Sequence, residues 1–141
     1  MALKPQIIGL IAGQGDLPIR LIERCQAQGE PIVAVAFENQ TPAATVNSIP
    51  HIWLKLGTVG ALLAYLRSQN VTHIVMAGAI KRPSLSELSL DWMGTKLLAK
   101  VGLTSLGDDG VLTAIIKYLE GEGFIVIGAD ELLDDLLMPS Q

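Results

Sequence analysis

The 141-residue chain has one cysteine, Cys25, so no internal disulfide can form, and such a framework suits a reducing compartment. Aromatic residues make up only 4% of the chain and charged residues only 17%. Positive charge is not in excess: the formal net charge is −4 and the pI is near 5.0. Proteins that grip a phosphate backbone need clustered Lys and Arg. The missing basic stripe therefore argues against general nucleic-acid binding. No apolar run reaches the roughly 20 residues of a membrane-spanning helix, because Gly13, Asp16 and Arg20 break the first one. The N-terminus lacks the basic region and cleavage site of a secretory signal. There is no internal repeat and no low-complexity segment. What the chain has is apolar bulk. Half of its residues are hydrophobic, too many for a disordered chain and enough for one domain around one sizeable core. The expectation is a soluble cytoplasmic domain.

The apolar residues come in two patterns. "QIIGLIA", "PIVAVAF" and "THIVMAG" are continuous runs of strand length, as expected of strands buried on both faces. "HIWLKL" and "FIVIGA" are shorter candidates. Between them the spacing turns helical. Leu17, Leu21, Ile22 and Cys25 form one stripe, stopped by Gly29. Val59, Leu62, Leu63 and Leu66 form a second, and Val111, Leu112, Ile115, Ile116 and Leu119 a third. "ENQTPAATVNS" reads as loop, residues 81–102 as a mixed region with short helical pieces, and "DELLDDLLM" as a last helix that docks onto a domain. Strands alternating with helices predict right-handed βαβ units. The expected fold is therefore α/β, a Rossmann-like three-layer domain with a mostly parallel sheet of about five strands.

Ligands of such sheets bind beyond the carboxyl ends of the strands, and three polar clusters fall there. Gly13-Gln14-Gly15-Asp16 follows the first strand and opens a helix. Glycines let the backbone approach a phosphate, and a helix N-terminus supplies N–H groups and a favourable dipole. Pro18 replaces the third glycine of the dinucleotide fingerprint, while Glu38 ends the second strand where a ribose-binding acid would sit. The plainer reading is a tight turn with Asp16 as helix cap. Gly78 precedes the second cluster, Lys81-Arg82, adjacent cations that suit phosphate. The third, Asp108-Asp109, either offers oxygen ligands to Mg²⁺ or caps the following helix. Spacing alone favours the cap. His51 and His73 have no ligand partners at zinc spacing, and no nucleophile elbow or P-loop occurs. Cys25, Trp53 and Trp92 read as packing residues.

Taken together, "GLIAGQGDLP", "VMAGAIKRP" and "GDDGVLTAIIKYLEGEGFIVIGADELLDDLL" resemble the N-terminal domain of the LpxI family, the UDP-2,3-diacylglucosamine pyrophosphatases of lipid A biosynthesis. The resemblance spans nearly the whole chain in order. It implies a Rossmann-like domain in a Mg²⁺-dependent hydrolase that splits UDP-2,3-diacylglucosamine into UMP and 2,3-diacylglucosamine 1-phosphate. It further implies a product held between two domains and an essential aspartate on the second. On this reading residues 1–138 form the N-terminal domain, and residues 139–141 open a linker to a catalytic domain that the chain does not contain. Catalytic residues are then none in this chain. Gly13, Gln14, Gly15, Asp16, Gly78, Lys81 and Arg82 face phosphate, and Asp108 and Asp109 are the metal candidates. The partners are a UDP-diacylglucosamine-type lipid nucleotide and the second domain. Peripheral contact with the inner membrane through the substrate, and homo-oligomers, fit the same reading. The alternatives are an NAD-type nucleotide-binding module and a structural or oligomerising domain.

Overall fold

The computed structural model describes residues 7–79, 89–101 and 109–137. Five strands, β1 (Ile8–Ala12), β2 (Ile32–Phe37), β3 (His51–Leu54), β4 (His73–Ala77) and β5 (Ile125–Ile127), form one sheet in the order β3-β2-β1-β4-β5. Every pairing is parallel, with Ile8 beside Ile32 and His73, Ala34 beside His51, and His73 beside Ile125. The helices between them are α1 (Leu17–Gln28), α2 (Ala43–Val46), α3 (Val59–Ser68), α4 (Trp92–Val101), α5 (Asp109–Gly121) and α6 (Ala129–Leu137). The expected doubly wound α/β architecture is therefore present.

The continuous apolar runs are divided by the pleat between two cores. Ile8, Leu10, Ala12, Ile32, Ala34, Ala36, Val75 and Ala77 point to the face covered by α1, α2 and α6, where they meet Leu21, Ile22, Cys25, Val46 and Leu132. Ile11, Val33, Val35, Phe37 and Ile74 point the other way, against Leu62, Leu63 and Leu66 of α3 and Leu119 of α5. Burial on both sides is why β1 and β2 do not alternate apolar with polar. The α1 core also takes in Cys25, whose thiol is pushed up to about 11 by burial and, secondarily, by the charge of Glu30. The C-terminal leucine cluster docks as expected, with Leu132 buried and α6 packed on α1. Gly29 closes α1 in the left-handed conformation (φ 71°), its N–H turned back on the last carbonyls.

Three expectations need correction. "ENQTPAATVNS" is not all loop, because Pro42 in extended conformation starts the single turn α2, which buries Val46. Among the described residues of the mixed region, Trp92–Val101 form a ten-residue helix, α4, packed on α3 and α5. Trp92 is not a packing residue: it is 72% exposed, and Trp53, on the edge strand β3, is 37% exposed. No helix among the described residues is long and apolar enough to cross a membrane.

Candidate functional site

In the observed strand order the chain leaves β1 toward β2 and later returns to the other side of β1 through β4. The crevice of such a sheet opens at this reversal, beyond the carboxyl ends of β1 and β4. Two turns meet there and are stitched by their backbones. Gly13 N–H donates to the Ala77 carbonyl at 2.8 Å, Gln14 N–H to the Ala79 carbonyl at 2.9 Å, and Ala79 N–H to the Gln14 carbonyl at 3.0 Å. A Cβ on Gly13 would lie 2.6 Å from the Ala79 oxygen, and one on Gly78 would lie 2.7 Å from the Gln14 oxygen. Both glycines thus permit one loop to touch the other.

Gly15 is different. Its φ is 102°, it is exposed, and among the described residues nothing lies within 4 Å of where a Cβ would be. Open ground therefore adjoins the start of α1 two residues later. The first N–H groups of a helix have no intrahelical partner and attract anions. A phosphate can approach the backbone here without meeting a side chain from Gly15.

Asp16 occupies the N-cap position of α1, but its side chain makes no capping bond. A capping oxygen reaches the N2 or N3 amide from extended backbone. Asp16 is already helical (φ −85°, ψ −23°), and Pro18, at N2, has no N–H to offer. The carboxylate is left exposed at the turn. Pro18 itself is buried, with its Cγ 2.9 Å from a Cβ built on Gly78. A ring thus fills the space against β4's exit turn where the dinucleotide fingerprint has its third glycine.

The connection after β2 closes the other flank. The Thr41 hydroxyl donates to the Ala12 carbonyl at 2.8 Å and accepts the Phe37 N–H at 2.9 Å. Gln14 Nε2 donates to Gln40 Oε1 at 3.4 Å. Gln40 and Thr41 are buried. The sequence reading missed both; their signal was a run of four polar residues, 38–41, directly after a buried strand. Glu38 stands exposed at the end of β2, its N–H bonded to the Leu54 carbonyl at 3.0 Å.

Lys81, Arg82 and Asp108 lie outside the described residues, as do residues 139–141. Asp109 is the first residue of α5. Among the described residues no three of His, Cys, Asp and Glu converge. Mg²⁺ needs no such cluster, because one or two carboxylates with waters and phosphate oxygens complete its octahedron. His51 Nδ1 lies 2.8 Å from the Ile49 carbonyl and His73 Nδ1 2.7 Å from the Thr72 hydroxyl, so both rings have local partners.

Farther along the same edge, Asp91 binds two helix starts. Its Oδ2 accepts the N–H groups of Gly60 at 2.7 Å and Ala61 at 3.3 Å, in α3, and its Oδ1 accepts that of Gly94, in α4, at 2.8 Å. Burial raises its pKa, but bonds from Gly94, Gly60, Ala61 and Val59 together outweigh that and hold the carboxyl below its usual range. Ser89 N–H donates to the Leu56 carbonyl at 2.9 Å, completing the clasp.

A doubly wound α/β domain with an open glycine turn at its switch point is of the Rossmann-like class. More narrowly, the chain belongs to the LpxI N-terminal domain family, whose model matches residues 7–136. It is 29% identical over 133 residues to the UDP-2,3-diacylglucosamine pyrophosphatase LpxI of Caulobacter vibrioides, an alignment covering 94% of this chain and 47% of that protein. The chain thus spans about half the length of that relative.

Proposed function

We propose that the chain is the substrate-binding N-terminal part of a UDP-2,3-diacylglucosamine pyrophosphatase. The observation that carries this is the open turn at Gly15, set at the switch point beside the start of α1 in a chain of the LpxI family. In this reading the diphosphate lies against the Gly13–Asp16 turn, with Lys81 and Arg82 supplying countercharge from the segment after Gly78. Asp108 and Asp109 are the candidate ligands in this chain for Mg²⁺, which would supply further positive charge to the diphosphate. The lipid-bearing sugar is directed toward the second domain, where the essential aspartate is expected. Alone, the chain binds and does not hydrolyse. The compartment that suits it is the cytoplasm.

A thermal-shift series tests the reading, because a ligand that binds only the folded state must raise the melting temperature. UDP-2,3-diacylglucosamine should stabilise the chain and NAD should not. Stabilisation by NAD alone would make Glu38 a ribose ligand and the chain a dinucleotide module. A chain indifferent to every nucleotide would be a structural domain.

A further inference from the structure

Leu90, Trp92 and Met93 are 41%, 72% and 39% exposed, a cluster of large apolar side chains wetted within four positions. Their backbone is not a loose surface loop. It is fixed by the Ser89–Leu56 bond and by the three Asp91 bonds to Gly60, Ala61 and Gly94. Met93 is also held from below, its sulfur accepting the Tyr118 hydroxyl at 3.6 Å. Folding thus anchors the segment while leaving most of an indole in water, which marks a surface for a partner. The patch carries a cation as well: Lys96 Nζ stands 5.3 Å from the Trp92 ring centre. An indole beside an ammonium suits an amphiphile, whose tail lies on the ring while the cation faces the polar groups where the tail is attached. The patch's position suits the same ligand. Asp91 ties it to the start of α3, so it lies on the carboxyl edge of the sheet, the edge that also carries the Gly15 turn.

We propose that Leu90, Trp92, Met93 and Lys96 form the seat for an acyl chain of an anionic, lipid-tailed ligand. The proposal rests on the reading that the chain binds a diacylated nucleotide sugar, and it assigns the tail to a surface other than the phosphate turn. A single amphiphile is favoured over a bilayer because the described residues of the patch offer one cation, Lys96, where an anionic membrane is held by a cluster of basic residues.

The test uses the 141-residue chain with Trp53→Phe, which leaves Trp92 as its single indole. Dodecyl phosphate, kept below its micellar concentration, should shift Trp92 emission to the blue. Trp92→Ala should weaken binding of UDP-2,3-diacylglucosamine about tenfold or more, the loss expected from removing the contact of two or so methylenes. Binding of tail-less UDP-glucose should not change. Met93→Ser should act in the same direction, and unchanged circular dichroism would show that both variants fold. Equal losses for the tailed and tail-less ligands would overturn the proposal. So would emission that ignores dodecyl phosphate but responds to liposomes or to protein concentration. If neither UDP ligand binds at all, the reading of the phosphate turn fails, and the dodecyl phosphate shift still decides the acyl seat.

Discussion

Across 31 positions of sequence, an oxygen of Asp91 accepts the N–H of Gly60 at 2.7 Å, and the other oxygen of the same carboxylate accepts that of Gly94 at 2.8 Å. One side chain therefore serves two helices. Each cap of this kind is worth about 0.5–2 kcal/mol, so Asp91→Ala should destabilise the chain by about 1–4 kcal/mol in urea unfolding. The bonds need the ionised carboxyl, whose folded-state pKa is depressed below the ordinary 3.8. The stabilisation is thus present above that ordinary value and is lost as pH falls through the lower folded-state value. Stability measured from pH 6 down to pH 3 should fall less steeply in Asp91→Asn than in the parent.

The glycines of the first turn should differ under substitution. Gly13→Ala drives a methyl into the Ala79 carbonyl and should cost roughly 1–3 kcal/mol, in the range of core overpacking. Gly15→Ala meets none of the described residues and bears the strain of positive φ, about 1–2 kcal/mol. Its larger effect should fall on phosphate affinity, because the added methyl occupies the approach to the turn. Melting curves and ligand titrations of the two variants separate the roles.

Thr45 is 3% exposed, and its hydroxyl has no hydrogen-bond partner among the described residues. A buried hydroxyl without a partner carries its desolvation cost uncompensated, of order 1–3 kcal/mol. Thr45→Val should therefore be neutral or stabilising by up to about 1 kcal/mol, measured by urea unfolding.

For the hydrolase reading, the chain alone should release no UMP from UDP-2,3-diacylglucosamine even with Mg²⁺. A second LpxI domain supplied in trans should restore release. Arg82→Ala should weaken the ligand by about 1.5–3 kcal/mol, the value of a charge-assisted bond. Asp108→Ala with Asp109→Ala should abolish the rescue if the pair binds metal, and should leave it intact if the pair only caps α5. Robust UMP release by the isolated chain would sink this assignment.

Much of the fold was legible because burial on both faces writes strands as unbroken apolar runs. Ile8–Ala12 and Ile32–Phe37 are buried along their entire length. Gly29 was equally legible, since few residues but glycine close a helix with φ near 71°. The site was legible only in part. Spacing drew attention to Gly13 and Gly15 alike, but only the neighbours distinguish a glycine pressed against Ala79 from one facing open space. Asp91 left a weak trace, an acid just before a helix, and nothing local shows its reach to Gly60. Trp92 was misread because an aromatic beside leucines usually packs inward, whereas its place at the start of an outer helix turns it to solvent.

The strand order also shapes how the chain must assemble during synthesis. β1 is the central strand and comes first in chain order among the described strands, yet one of its two neighbours, β4, begins only at His73. Until then a half-sheet of β1, β2 and β3 leaves the backbone N–H and C=O groups on one edge of Ile8–Ala12 unpaired. An unpaired edge of that kind recruits other strands. A chain stalled between Leu54 and Ala77 would therefore keep that edge unpaired and open to aggregation.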